Sequence, residues 1–148
     1  MTNQIPMEQL QDIPMNTFAY ELLREQLIPD LMGKELNRIL YWAGKNLARK
    51  YPLETFDDVI RFFEQACWGT LTIVEQKRRE MHLQLTGPLI SERYRSKRDT
   101  TYQLEAGFLA EQIQQQRNVI AETYEEQKKR SDKVLFIVQW DPKDILED

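Results

Sequence analysis

A glutamine-rich helical stretch containing Gly107-Phe108-Leu109-Ala110 runs directly into two strand-like segments, residues 118–127 and 133–140. They are joined by the polar turn Lys128-Lys129-Arg130-Ser131-Asp132. The second segment, Val134-Leu135-Phe136-Ile137-Val138, is apolar on both faces, which predicts cover on both sides of the sheet at that strand. A helix delivering its chain into a hairpin excludes an all-helical answer and points to a mixed fold.

The same device occurs earlier in the chain. Leu71 and Ile73 alternate with Thr70, Thr72 and Val74, and Met81, Leu83 and Leu85 alternate with His82, Gln84 and Thr86. The period is two, and the charged run Lys77-Arg78-Arg79-Glu80 between the halves reads as a hairpin turn. Before this hairpin the period is helical. Phe18, Leu22, Leu23 and Leu27 mark a first helix that stops at Pro29. Leu36, Ile39, Leu40, Ala43, Leu47 and Ala48 mark a second, ending at Tyr51-Pro52. The third begins at Thr55, whose hydroxyl and the Asp58 carboxylate can take unpaired N–H groups, and runs through Phe56, Val59, Ile60, Phe63 and Cys67 to Gly69. Residues 87–101 read as a polar connector, with Asp99 or Thr100 placed to cap the helix that follows.

The expected fold is therefore one α+β domain over residues 16–148, with helices packed on a four-stranded antiparallel sheet in the order ααα-ββ-α-ββ. Residues 1–15, with two prolines and no sustained period, read as a flexible N-terminal arm. At 148 residues and 41% hydrophobic the chain is long enough to bury roughly 70% of its unfolded surface around a single core.

Phe62-Phe63 through Trp68-Gly69 leading into a strand, Gly107-Phe108-Leu109-Ala110, and the pair NVIAETYEEQ and KVLFIVQWD resemble the YslB-type family of Bacillus-type proteins. That family is in turn similar in fold to vinyl-reductase-type small-molecule-binding domains and to the core subunits of the TRAPP vesicle-tethering complex. The resemblance implies a fold able to hold an apolar ligand between helices and sheet, and members that pair through helices. Glu122 and Phe136 match positions in the closing strands of the vinyl-reductase-type domains, but no cysteine occurs in residues 100–148, so a cysteine-based ligand or metal role is not carried over. Some tethering relatives bear an acyl chain on a cysteine just ahead of the third helix. Lys50-Tyr51-Pro52 stands there instead, without a thiol.

Constellations for catalysis are sparse. His82 is the only histidine and Cys67 the only cysteine; a dyad would need them to meet in a cleft. The ordinary role of Cys67, on one stripe with Ile60 and Phe63, is that of a small buried hydrophobe. Glu122, Glu125 and Glu126 read as an exposed strand face, and no metal-ligand spacing, phosphate loop or nucleophile elbow is present. No cofactor is expected. A net charge of −4 and a pI near 5.2 disfavour bulk or specific nucleic-acid binding. With a single cysteine, no signal-like N-terminus and no long apolar run, the chain reads as cytoplasmic, without a transmembrane segment.

Two surfaces remain for partners. Lys77, Arg78, Arg79, Arg93, Arg95, Lys97, Arg98, Lys128, Lys129 and Arg130 sit on three loops, which would form a patch for an anionic protein or surface if the loops converge. Solvated turns and edge protection explain the same charges. Tyr41, Trp42, Tyr51, Phe56, Phe62, Phe63 and Trp68 crowd the second and third helices, and Phe62 and Phe63 are not expected to face one stripe together, which leaves apolar surface for a homodimer. Alternatively Phe56, Trp68, Phe136 and Val138 line a pocket for a small apolar molecule. The sequence thus reads as a non-catalytic binding or adaptor module that pairs with itself and holds an apolar ligand. The alternatives are a dimeric interaction module without ligand, or a small enzyme using His82 and Cys67.

Overall fold

In a computed structural model the structure describes residues 3–145, with side chains described to residue 142. Residues 1–2 of the expected arm and 146–148 of the expected domain lie outside the described residues. The centre of the molecule is α7 (Gln103–Arg117). Nine consecutive residues, Glu105 through Ile113, are buried, so this helix has protein on every side rather than an apolar stripe against one layer. One side meets the inner face of the sheet formed by β1 (Thr70–Gln76), β2 (Glu80–Thr86), β3 (Val119–Lys128) and β4 (Lys133–Ile145), ordered β1-β2-β4-β3 with every neighbouring pair antiparallel. Another side meets α4 (Leu36–Lys50). The expected α+β architecture with a four-stranded antiparallel sheet is the observed one.

Two glycines let α4 and α7 approach so closely. A Cβ on Gly44 would stand 2.1 Å from the carbonyl oxygen of Leu104, and one on Gly107 would stand 2.0 Å from that of Tyr41. Both obstacles are backbone, so any larger residue must push the helices apart.

The third predicted helix is α5 (Phe56–Gln65), and the hydroxyl half of its cap is as expected: Thr55 Oγ1 accepts from the Asp58 N–H at 3.2 Å. Phe62 and Phe63 are both buried, contrary to the expectation that one would be left over. Phe108 stacks on Phe62 at 4.6 Å and Tyr51 meets its edge at 5.3 Å, while Trp68 closes on Phe63 at 4.9 Å. Aromatic neighbours on two sides give both rings cover.

Three further expectations are corrected. Residues 17–32 form one continuous helical rod through Pro29, composed of α2 (Thr17–Glu21), a π-helical segment (Leu22–Leu27) and α3 (Ile28–Met32). The Ile28 N–H bonds back to Leu23 O, five residues away. The widened turn relieves the clash that a proline ring otherwise makes with the carbonyl four residues before it. The break comes instead at Gly33, with φ +59°, leading through Gly33–Glu35 into α4. The 87–101 connector contains a helix, α6 (Pro88–Arg95), with Pro88 at its permissive first position. At the start of α7 it is the Thr101 hydroxyl that accepts from an amide, Gln103 N–H at 3.3 Å, not Asp99 or Thr100.

Among the described residues the sheet is covered on one face only. Val134, Phe136 and Val138 point into the core, while Leu135 and Ile137 on the opposite face are half-buried beside exposed Tyr124 and Glu126. The two apolar residues are shielded by their cross-strand neighbours rather than by a second layer. The outer edge of β3 is blunted by helix side chains: Tyr41 Oη accepts from Thr123 N–H at 3.0 Å and Gln114 Oε1 from Ala121 N–H at 3.2 Å. The segment before α2 carries one turn of helix, α1 (Met7–Leu10). It is tied down where Gln4 Nε2 donates to Lys50 O at 2.8 Å and Ile5 N–H to Tyr51 Oη at 2.6 Å.

Candidate functional site

The helical rod of residues 17–32 is built inside out. Its charged residues Glu21, Arg24 and Glu25 face inward, and Phe18, Leu22, Leu23, Leu27 and Leu31 face solvent, Phe18 and Leu31 each 68% exposed. Spacings of four, five and four along Phe18, Leu22, Leu27 and Leu31 keep these side chains in line because the π turn holds more residues than an α turn.

The inward charges meet α6, α7 and the segment between them. Arg24 reaches Glu105 of α7, with Nη2 at 2.9 and 2.7 Å from the two carboxylate oxygens, and also bonds Tyr20 Oη at 3.1 Å and Thr101 O at 3.2 Å. Arg93 of α6, only 2% exposed, grips Glu21 with two bonds of 2.9 and 2.6 Å and donates to Tyr102 Oη at 3.3 Å. Arg98 adds a third contact to Glu21 at 3.2 Å, and Arg24 lies 3.3 Å from Glu25. Three carboxylates thus face three guanidinium groups, with the Arg24 and Arg93 carbons 5.5 and 5.8 Å from the Tyr102 ring centre. Burial works against the Arg24 charge, but Glu105 and Tyr20 overcome it and hold its pKa well above the ordinary value. Burial would likewise raise the Glu21 carboxyl, but the Arg93 bonds outweigh it and the net direction is down. Burial pushes the Tyr20 and Tyr102 hydroxyls up, so both stay protonated while their oxygens accept from Arg24 and Arg93. Such a lattice orients a helix well and is costly to leave half-made.

Beside this lattice is a cavity of about 320 Å³, between α3, α4, residues 99–104 and the end of β3. Ile28, Pro29, Leu36, Leu40 and Leu104 give it an apolar side; Arg24, Glu25, Asp99, Thr100, Glu125 and Gln127 give it a polar one.

The residues singled out from sequence are distributed differently. Phe136 and Val138 are fully buried under α7, Phe56 is half-buried, and Trp68 is locked among Phe62, Phe63 and Phe108. None of Phe56, Phe136 and Val138 lines the cavity, while Trp68 edges a separate groove of about 400 Å³ with Cys67, Gly69 and Leu89. The basic loops do not share one end. Pairing of Glu80 with Gln139 sets Lys77, Arg78 and Arg79 at the end of the sheet opposite Lys128, Lys129 and Arg130, which adjoin Lys133. Arg95, Lys97 and Arg98 lie toward the second turn, since Thr100 O accepts from Gln127 and Tyr102 N–H donates to Glu125. Arg93 is inside the protein, spent on Glu21.

Cys67 is exposed, at φ +61° just past α5, because the chain turns there toward β1. His82 lies on the open sheet face, 2.6 Å from Glu80 and paired in register with Glu75, four rows from Thr70. At about 3.3 Å per residue that is about 13 Å along the strand, so the two do not form a dyad. Among the described residues no group of three His, Cys, Asp or Glu side chains is arranged to hold a metal, and no helix is long and apolar enough to cross a membrane. Sequence reasoning missed the Arg24–Glu105 and Arg93–Glu21 pairs. The available signal was Glu105 amid the apolar run of α7, a carboxylate that burial obliges to find a cation.

A helical layer against one face of this four-stranded antiparallel sheet defines the class, and the sequence matches the model of a family described as protein of unknown function (DUF2507) over residues 17–139, beginning at the first residue of the inverted rod. The chain belongs to that family. It is 51% identical over 137 residues to "Uncharacterized protein YslB" of Bacillus subtilis (strain 168), covering 93% of each chain. In fold it is similar to the crystal structure of a vinyl-4-reductase family protein from Methanocaldococcus jannaschii, with a TM-score of 0.66 at 16% identity over 91% of this chain and 88% of that one.

Proposed function

We propose that the protein is a non-catalytic cytoplasmic binding and adaptor module that pairs with a second copy through the leucine face of residues 17–32. The observation carrying this reading is the inversion itself. A helix that faces solvent alone gains by turning its leucines inward. This one is held the other way by its ion pairs, with Leu22, Leu23 and Leu27 between 46 and 55% exposed. The stripe from residue 18 to 31 is about 20 Å long at 1.5 Å per residue, and twofold packing of one stripe on its copy is the commonest closed way to cover such a face. An anionic protein or surface remains a candidate partner for the basic end formed by Arg95, Lys97, Lys129 and Arg130, all exposed. The test is sedimentation equilibrium of the full chain against the Leu22→Lys/Leu27→Lys variant. A dimer that becomes a folded monomer supports the reading; a wild-type monomer at high micromolar concentration counts against it.

A second, small-molecule reading is favoured by the cavity beside α3 and α4. Its amphiphilic wall suits a ligand with an apolar body, at a site different from the Phe56, Trp68, Phe136 and Val138 position.

A further inference from the structure

We propose that the cavity between α3, α4 and the end of β3 takes a small organic cation, an amine with an apolar body. The inference rests on the small-molecule reading and adds the chemical class of the ligand.

The argument is one of charge and of unmet hydrogen bonds. Among the described residues the only cation in the wall is Arg24, and it is engaged by Glu105 and Glu25. The three carboxylates of the neighbouring lattice, Glu21, Glu25 and Glu105, are matched by Arg24, Arg93 and Arg98. Two wall carboxylates are left without a basic partner. Glu125 accepts only from neutral donors, the Tyr102 N–H at 3.2 Å, Gln103 Nε2 at 2.7 Å and Gln127 Nε2 at 2.7 Å. The Asp99 side chain has no hydrogen-bonded or charged partner among the described residues. Thr100, between them in the wall, has a buried hydroxyl oxygen with no partner. An ammonium group brings the positive charge that the two carboxylates lack, and donors for Asp99 and the Thr100 hydroxyl. The opposite side, Ile28, Leu36, Leu40 and Leu104, offers only dispersion and apolar burial to the rest of the ligand. An anionic ligand would face an excess of negative charge, and a wholly apolar one would strip water from two carboxylates without replacement.

The probe is 2-phenylethylamine, with 2-phenylethanol and 3-phenylpropanoate as near-isosteres of different charge, titrated up to about 5 mM, the range in which weak fragments bind, into the full chain and followed by amide NMR shifts. The expected result is saturable binding of the amine, with shifts at residues 36–40, 99–104 and 125–127, and little response to the acid. Asp99→Asn, an exposed change that leaves the fold intact, and Glu125→Gln should each weaken the amine roughly two- to fivefold, the scale of a partly solvated ion pair. Equal binding of the alcohol in the same place, or amine affinity unchanged in both variants, overturns the cation assignment while leaving a ligand site. Shifts confined to other parts of the protein, or no binding by any of the three probes, overturns the assignment and the small-molecule reading together.

Discussion

Helix α7 and the rod of residues 17–32 are opposite solutions to the placement of charge. Buried on all sides, α7 carries Glu105, Glu111 and Gln112 into the interior beside Phe108 and Leu109. The rod lies at the surface, yet keeps Glu21, Arg24 and Glu25 inside and its leucines out. The two are linked, because the carboxylate that α7 buries is the one Arg24 comes inward to meet. The polar demand of the central helix thus sets the rotation of the outer one and leaves its apolar face exposed.

The largest test of that link is to remove one side of it. Arg24→Met leaves Glu105 buried without its cation, and a loss of about 3–5 kcal/mol is expected in urea unfolding. Adding Glu105→Leu should restore most of it, since an apolar pair has no charge to strand. If the double variant is as unstable as the single one, the lattice does not set the rotation of the rod. Phe108→Ala, which removes the ring stacked on Phe62 and meeting Phe63 and Trp68, probes the conventional core and should cost about 3–5 kcal/mol without such rescue.

Smaller effects separate the two regions further. Gly107→Ala drives a methyl group onto the Tyr41 carbonyl and should cost about 1–3 kcal/mol by parting α4 from α7. Acid acts on the rod instead. The Glu21 carboxyl is held below its ordinary 4.5. A depressed carboxyl contributes stability that is complete above the unfolded value and lost as pH falls through the lower folded value. The stability difference between wild type and Glu21→Gln should therefore be constant near neutrality and shrink below pH 4.5. A difference unchanged down to pH 3 would show that Glu21 is not anchored through its charge.

Much of the fold is legible in the sequence because sheets write with period two. Strand β1 was readable from Thr70 to Gln76, and the Thr55 cap from the acid three residues on. Helix α6 was not, because Ser91-Glu92-Arg93-Tyr94-Arg95 is polar and Gly87-Pro88 looks like a turn; its one deeply buried polar anchor, Arg93, is counted as solvent-facing by any hydropathy argument. The apolar spacing marks a helix up to Pro29 but not an inverted one that continues to Met32. An apolar stripe shows that a face seeks cover, while the choice between its own core and another molecule depends on Glu105, more than seventy residues away. The cavity is illegible for a similar reason: Leu36, Asp99 and Glu125 come from three distant segments, a helix, a loop and a strand.

The smallest expected effect on folding is at the leucine face, and there a near-zero result is the informative one. Leu27→Ala removes a side chain that is 46% exposed in the single chain, so in dilute protein, where any dimer has dissociated, its stability should change by no more than about 0.5 kcal/mol. If the face pairs with a second copy, the same substitution lowers the apparent stability as protein concentration rises, because assembly adds to the folded state by mass action. The quantity to measure is the urea midpoint of wild type and Leu27→Ala over a hundredfold range of concentration. A gap that opens with concentration ties the inversion to self-association. A gap that stays near zero assigns the exposed leucines to a different partner, and a large gap even in dilute protein would mean that Leu27 belongs to the fold after all and that the contrast with α7 is weaker than the geometry implies.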